Sequence, residues 1–133
     1  MRFTIISTKP GHQPPQSSCD FYAPGGTIGR GTDNNLVLPD NDRTISRLQA
    51  IVHVDAQGEC RVTNRGSVTR VVLNDIPLER GRQVELQDGD ILGIDDYRLE
   101  VTESNVRAIA LYTMLGFEGL PYQQMILDTP PLD

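Results

Sequence analysis

The chain has 133 residues, 38% hydrophobic and 23% charged, with a formal net charge of −6 and no tryptophan. That length buries one core of ordinary size without disulfide staples, and the composition is globular rather than disordered. The acidity argues against nonspecific binding to nucleic acid or to an anionic membrane, and the scarcity of aromatics argues against a stacking platform for single strands.

Residues 1–102 read as short strands divided by turn chemistry. "MRFTIIST" alternates between apolar and polar and is a strand by period. "KPGHQPPQSS" is a loop of Pro, Gly and Ser. "CDFYA" and "GTIGR" follow on either side of "PGG", a tight-turn signal, and "NNLVLP" is a short strand-like run. "LQAIVHVDA" and "ECRVTN" flank "QG" and predict a hairpin. "TRVVLN", "RQVELQ", "DILGID" and "YRLEVTE" are then divided by "DIPLERG", "DGD" and "DD". The reading is an antiparallel β-sandwich with no helix before residue 103.

The pattern changes after Glu103. Val106, Ile109, Ala110 and Met114 recur at helical spacing, with Ser104 as N-cap and Gly116 as the C′ glycine, which predicts one short helix. A Pro-rich end follows. The expected organisation is a β-domain over 1–102 and a helix with a tail over 103–133.

Cys19 and Cys60 have neither CxxC spacing nor nearby histidines, so two free thiols are expected and no metal site. His53 shares a strand with Val52 and Val54 and faces the other way, while His12 lies in a loop with no evident partner. No run reaches the ~18 apolar residues of a membrane span, and "MR" opens directly into a strand pattern, so the cytosol is the expected compartment. There is no Ser-His-Asp set and no paired-carboxylate site, and no cofactor is expected; the chain reads as a non-enzyme.

The chemistry concentrates in arginine, which supplies eleven of the twelve basic residues. Between Arg30 and Arg70 the charge balance reverses, with six arginines against five acids. Arginine forks match phosphate and carboxylate geometry. Arg30 follows the strand-like "TIG", and Arg47 follows Ser46, so the two either decorate the surface or converge on an anion.

The ordered set "TIGRG", "RTISRLQAIV", "VTNRGSVTRVVLNDIPL" and "LQDGDILGI" resembles a forkhead-associated (FHA) domain over roughly residues 1–102. "LVLPDNDRTISR" is further similar to the FHA proteins that accompany bacterial type VI secretion. The resemblance implies a sandwich of eleven strands whose loops at one end bind phosphothreonine peptides. It assigns Arg30 to the phosphate grip, Ser46 to a hydrogen bond with a phosphate oxygen, and Arg47 to a second basic contact. Gly29 is the glycine that lets the strand end turn. The family's histidine falls on Gln49, whose amide offers a similar bond, with looser loops expected. The family's Ser-Thr-Asn-Gly falls on Ser67, Val68, Thr69 and Arg70. Thr69 is a shorter clamp for the peptide backbone, and Arg70 is a compensating cation. Asn74 belongs to a hairpin turn supporting the loops.

Two functional readings follow: a phosphothreonine-binding adaptor, or an FHA-like scaffold that binds partners independently of phosphorylation. The segment 105–118 also resembles the "N-x-x-A-x-x-L-Y-x-x-x-G-F" stretch of GNAT acetyltransferases, in which Asn105 would contact the cofactor and Tyr112 donate a proton. The glycine loop that holds the pyrophosphate in that family is replaced here by strands, so no such activity is expected. The segment is instead expected to pack on the sandwich, swap between chains or mediate self-association.

Overall fold

Alternation writes the core directly. On β5 (Ala50–Val54), Ala50, Val52 and Val54 are buried and His53 is exposed. Cys60, Val62 and Asn64 face inward on β6 (Cys60–Asn64), and Tyr97, Leu99 and Val101 on β11 (Tyr97–Thr102). Each fully buried aliphatic of this kind contributes about 1.5–3 kcal/mol.

The computed structural model describes residues 1–103. The remaining strands are β1 (Arg2–Ser7), β2 (Ser18–Asp20), β3 (Gly25–Gly29), β4 (Leu36–Val37), β7 (Val71–Leu73), β8 (Ile76–Leu78), β9 (Gln83–Leu86) and β10 (Ile91–Ile94). They form two sheets, one ordered β2-β1-β11-β10-β7-β8 and the other β4-β3-β5-β6-β9. The inner faces share one core, in which Phe3 and Phe21 meet edge-to-face at 4.9 Å. This is the all-β sandwich of eleven strands that the sequence implied.

Local departures from the expected pattern each have a cause. β4 runs parallel to β3, pairing Ile28 with Leu36, so the sandwich is not wholly antiparallel. The "QG" connection is a loop over 55–59 rather than a two-residue turn. Asp55 accepts from the peptide N–H of Gln57 and of Glu59 and so organises it. The "CDFYA" strand stops at Asp20, although Phe21 is still buried. Asn74 and Asp75 form a two-residue hairpin turn, both at positive φ, as a type I′ turn requires. Both cysteines are free thiols, and burial pushes Cys60 up to about 11. The predicted C-terminal helix and the 105–118 segment, with Asn105 and Tyr112, lie outside the described residues.

One polar cluster ties three connections together at one end of the sandwich. Lys9, the only lysine in the chain, is 7% exposed. Its ammonium meets Asp40 at 2.7 Å, Asp42 at 3.2 Å and Asp95 on the β10–β11 turn. Hydrogen bonds to Asp40 and then Asp95 raise the Lys9 pKa above its ordinary value, against the opposing pull of burial. Burial pushes the Asp40 carboxyl up, but donors from Ile45, Lys9, Thr44 and Asp42 overcome it and hold it well below the usual range. Tyr97 reaches into the same region, its hydroxyl donating to the Pro39 carbonyl at 2.7 Å. His12 gains a partner that the sequence did not reveal: its Nε2 accepts from the Asn41 N–H at 2.9 Å.

Removing one member of a buried pair strands the other, at a cost of about 3–5 kcal/mol. Lys9→Ala is therefore expected to lose about 3 kcal/mol in urea unfolding. The signs of the two shifts define a pH window. The depressed Asp40 contributes stability above its unfolded value of about 4, lost as pH falls through the lower folded value. The raised Lys9 contributes stability below about 10.4, lost as pH climbs through the higher folded value. Unfolding free energy measured against pH should plateau between those limits, and Lys9→Ala should remove the alkaline limb.

Candidate functional site

Three loops converge at this end: 30–35 after β3, 38–49 between β4 and β5, and 65–70 between β6 and β7. Backbone bonds lace the first two. The Arg30 N–H donates to the Ser46 carbonyl and the Gly31 N–H to the Arg47 carbonyl, both at 3.1 Å. Gly29 is needed for this approach, because a Cβ there would overlap the Arg47 carbonyl oxygen. Asn34 then donates its amide to the carbonyls of both Gly31 and Arg47 at 2.7 Å.

Asp40 shapes the approach to Ser46. Its carboxylate accepts from the N–H groups of Asp42, Thr44 and Ile45 and from the Thr44 hydroxyl. The carbonyl of Ile45, fixed this way, accepts from Arg30 Nε at 3.0 Å. That bond orients the Arg30 guanidinium and leaves its two Nη groups for a fork. Among the described residues, neither Arg30 nor Arg47 has a carboxylate within ion-pair distance. Asp40 and Asp42, on the same loop as Arg47, are held by Lys9 instead.

The third loop joins through Ser46 and Gln49. The Ser46 hydroxyl accepts from the Ser67 N–H at 3.1 Å, which keeps its own proton available to donate. Gln49 is fully buried. Its Oε1 accepts from the Ser46 N–H at 2.8 Å, and its Nε2 donates to the Thr69 carbonyl at 2.6 Å and to Asn64 Oδ1 at 3.1 Å. Gln49 thus spans both loops with donor and acceptor at once, more than the single bond the sequence reading gave it. Asn64 completes the network, accepting from Gly66 N–H and donating to the Leu78 carbonyl at 2.7 Å.

The structure therefore gathers Gly29, Arg30, Ser46, Arg47, Gln49, Ser67 and Thr69 around one rim. Thr69 enters through its backbone carbonyl. Arg70 is at the same rim but leans on Glu79, at 3.4 Å, with both side chains largely exposed. Asn74 is not a support of these loops. It sits at the far end of β7, where its side chain donates to Asp90 and accepts from the Ile91 N–H. The hairpin turn that it closes is tied to the "DGD" turn instead. Asn64, Asp40 and Lys9 were missed by sequence reasoning. Only Asn64 left a signal, as a polar residue on the inward period of "CRVTN".

The arrangement offers an oriented guanidinium and a donating hydroxyl from separate loops, a pair suited to an anion with several acceptor oxygens. No metal-binding cluster occurs among the described residues.

Gln49→Ala leaves the Ser46 N–H, the Thr69 carbonyl and Asn64 Oδ1 short of a partner and is expected to cost about 2–4 kcal/mol in urea unfolding. Gly66→Ala drives a Cβ into the Gln49 amide and should destabilise in the same direction. In both variants the Ser46 amide should exchange faster with solvent than in the parent chain; unchanged exchange would show that the amide network does not hold the loop.

Comparisons with known proteins agree with this frame. The FHA domain family matches residues 26–95, more than half of the chain. No curated protein matches. Among solved structures, the FHA domain of CT664 from Chlamydia trachomatis is similar with a TM-score of 0.62 at 16% identity, covering 78% of this chain and 99% of that one. The FhaA FHA domain complexed with the intracellular domain of Rv3910 aligns with a TM-score of 0.59 at 19% identity, over 74% of this chain and 96% of that one. The MEK1 FHA domain in complex with a HOP1 phosphothreonine peptide aligns with a TM-score of 0.55 at 18% identity, over 66% and 89%. At these identities the structures establish the fold, and with the family match they lead to one conclusion: this chain belongs to the FHA domain family.

Proposed function

We propose that the rim formed by loops 30–35, 38–49 and 65–70 binds threonine-phosphorylated segments of protein partners, and that the chain acts as an adaptor in signalling or assembly. FHA domains are phosphopeptide-binding modules, not enzymes. The observation that carries the reading is the Arg30 guanidinium, oriented through Nε on the Ile45 carbonyl, beside the Ser46 hydroxyl that holds the Ser67 N–H. A phosphate brings about −1.5 to −2 charges and three acceptor oxygens. Arg30 supplies a fork, Ser46 a hydroxyl and Arg47 a second cation.

The peptide backbone beside the phosphothreonine lies against the 65–70 loop, where Thr69 and Arg70 are the available polar side chains. The resemblance of Leu36–Arg47 to type VI secretion proteins supports a cytosolic role in assembling such a system. The exposed Val68, at 71%, stands where the family has a hydroxyl and favours the second reading, a scaffold that binds without reading phosphate.

Isothermal titration with one peptide, phosphorylated on threonine or not, separates the two. The adaptor reading expects binding of the phosphorylated form alone. It also expects Arg30→Ala to cost about 2–4 kcal/mol of affinity. Equal affinity for both peptides, untouched by Arg30→Ala, would establish the scaffold reading in its place.

A further inference from the structure

The acids and the arginines at the binding end are sorted in an unusual way. The chain carries 18 acidic residues, so carboxylates are plentiful. Yet among the described residues Arg30, Arg43, Arg47 and Arg65 have no carboxylate within ion-pair distance. The nearby acids Asp40, Asp42 and Asp95 all gather on the buried Lys9. Asp33 shares the space above Gly31 with the stem of Arg47 but makes no ion pair. Asp96 is exposed on the β10–β11 turn.

The free arginines are spread over the same three loops. Arg43 is exposed at the turn that Asp40 caps, where its N–H donates to the Asp40 carbonyl, and it holds a positive φ of 59° that favours glycine. Arg65 follows Asn64, donates its N–H to the Gln49 carbonyl at 2.8 Å, and is exposed. One phosphate, at about −2, is met by Arg30 and Arg47. Arg43 and Arg65 then remain as exposed guanidiniums on the same loops, with neither the phosphate nor a carboxylate within ion-pair distance to hold them.

We infer that the partner segment is acidic around its phosphothreonine, with Asp, Glu or a second phosphate on flanking positions, and that Arg43 and Arg65 read this charge. The inference rests on the phosphothreonine reading. Exposed pairs are individually small, about 0.2–1 kcal/mol, and are screened by salt. Their contribution is therefore selectivity and encounter rate rather than the main grip.

The test is fluorescence anisotropy with three phosphothreonine peptides of one backbone sequence, flanked by Asp and Glu, by Ala, or by Lys, at low and at high salt. The acidic peptide should bind about tenfold tighter than the Ala peptide at low salt and lose most of that advantage at high salt. The double variant Arg43→Gln/Arg65→Gln should erase the advantage and leave the Ala-flanked phosphopeptide within about twofold of its original affinity. If acidic and Ala-flanked phosphopeptides bind equally, while Arg30→Ala still weakens binding as expected, the flanking-charge inference falls and the phosphothreonine reading stands. If none of the phosphorylated peptides binds, both fall.

Discussion

The carboxylate of Asp40 is the point on which the binding end is built. It is buried, with Lys9 Nζ at 2.7 Å and donors from Asp42, Thr44 and Ile45. A lone buried carboxylate would be prohibitively costly, so its position obliges the chain to bring donors to it. Three come from the backbone of the same loop, which folds the segment 40–45 around the oxygens. A fourth is the Thr44 hydroxyl, and the fifth is an ammonium from the β1–β2 connection, which also holds the β10–β11 turn through Asp95. The consequence reaches the site in two steps. Asp40 fixes Ile45, and the Ile45 carbonyl orients the Arg30 guanidinium. A half-buried cation is thus positioned by an anion that never reaches it.

The second constraint is the amide pair Gln49 and Asn64. Both are buried, and both are bonded to backbone on neighbouring segments. A buried network of this kind is rigid when complete, because every lost bond leaves an unsatisfied group in a low dielectric. It turns two loops that would otherwise wander into one platform. Gly66 is part of that arrangement, since any side chain there would occupy the space of the Gln49 amide. Binding loops on a rigid sandwich bind with less ordering cost than free loops do.

Charge is partitioned rather than merely summed. A chain of net charge −6 would repel an anionic ligand at long range. At short range the sign is set by which groups are neutralised. Asp40, Asp42 and Asp95 gather on Lys9, whose single charge offsets one of the three, while among the described residues Arg30, Arg43, Arg47 and Arg65 have no carboxylate within ion-pair distance.

Short-range information in the sequence determined much of this protein. The period of two marked β1, β5, β6 and β11, because alternation is a property of consecutive residues. Asn74-Asp75 and "DGD" announced turns, because tolerance of positive φ belongs to the residue itself. The order of "TIGRG", "RTISR" and the later turns carried the family, and with it Arg30, Ser46 and Gln49. Tertiary structure decided what depends on register between distant strands. Lys9 looked like any loop lysine until folding brought it against Asp95, 86 residues away. Asn74 read as a support of the site, yet strand direction carries it to the other end of β7. Gln49 read as a weaker histidine, and only the packing of three loops revealed that its amide is used from both ends. Local dihedrals and periods are encoded where they act, whereas partners across the fold exist only once the two sheets close.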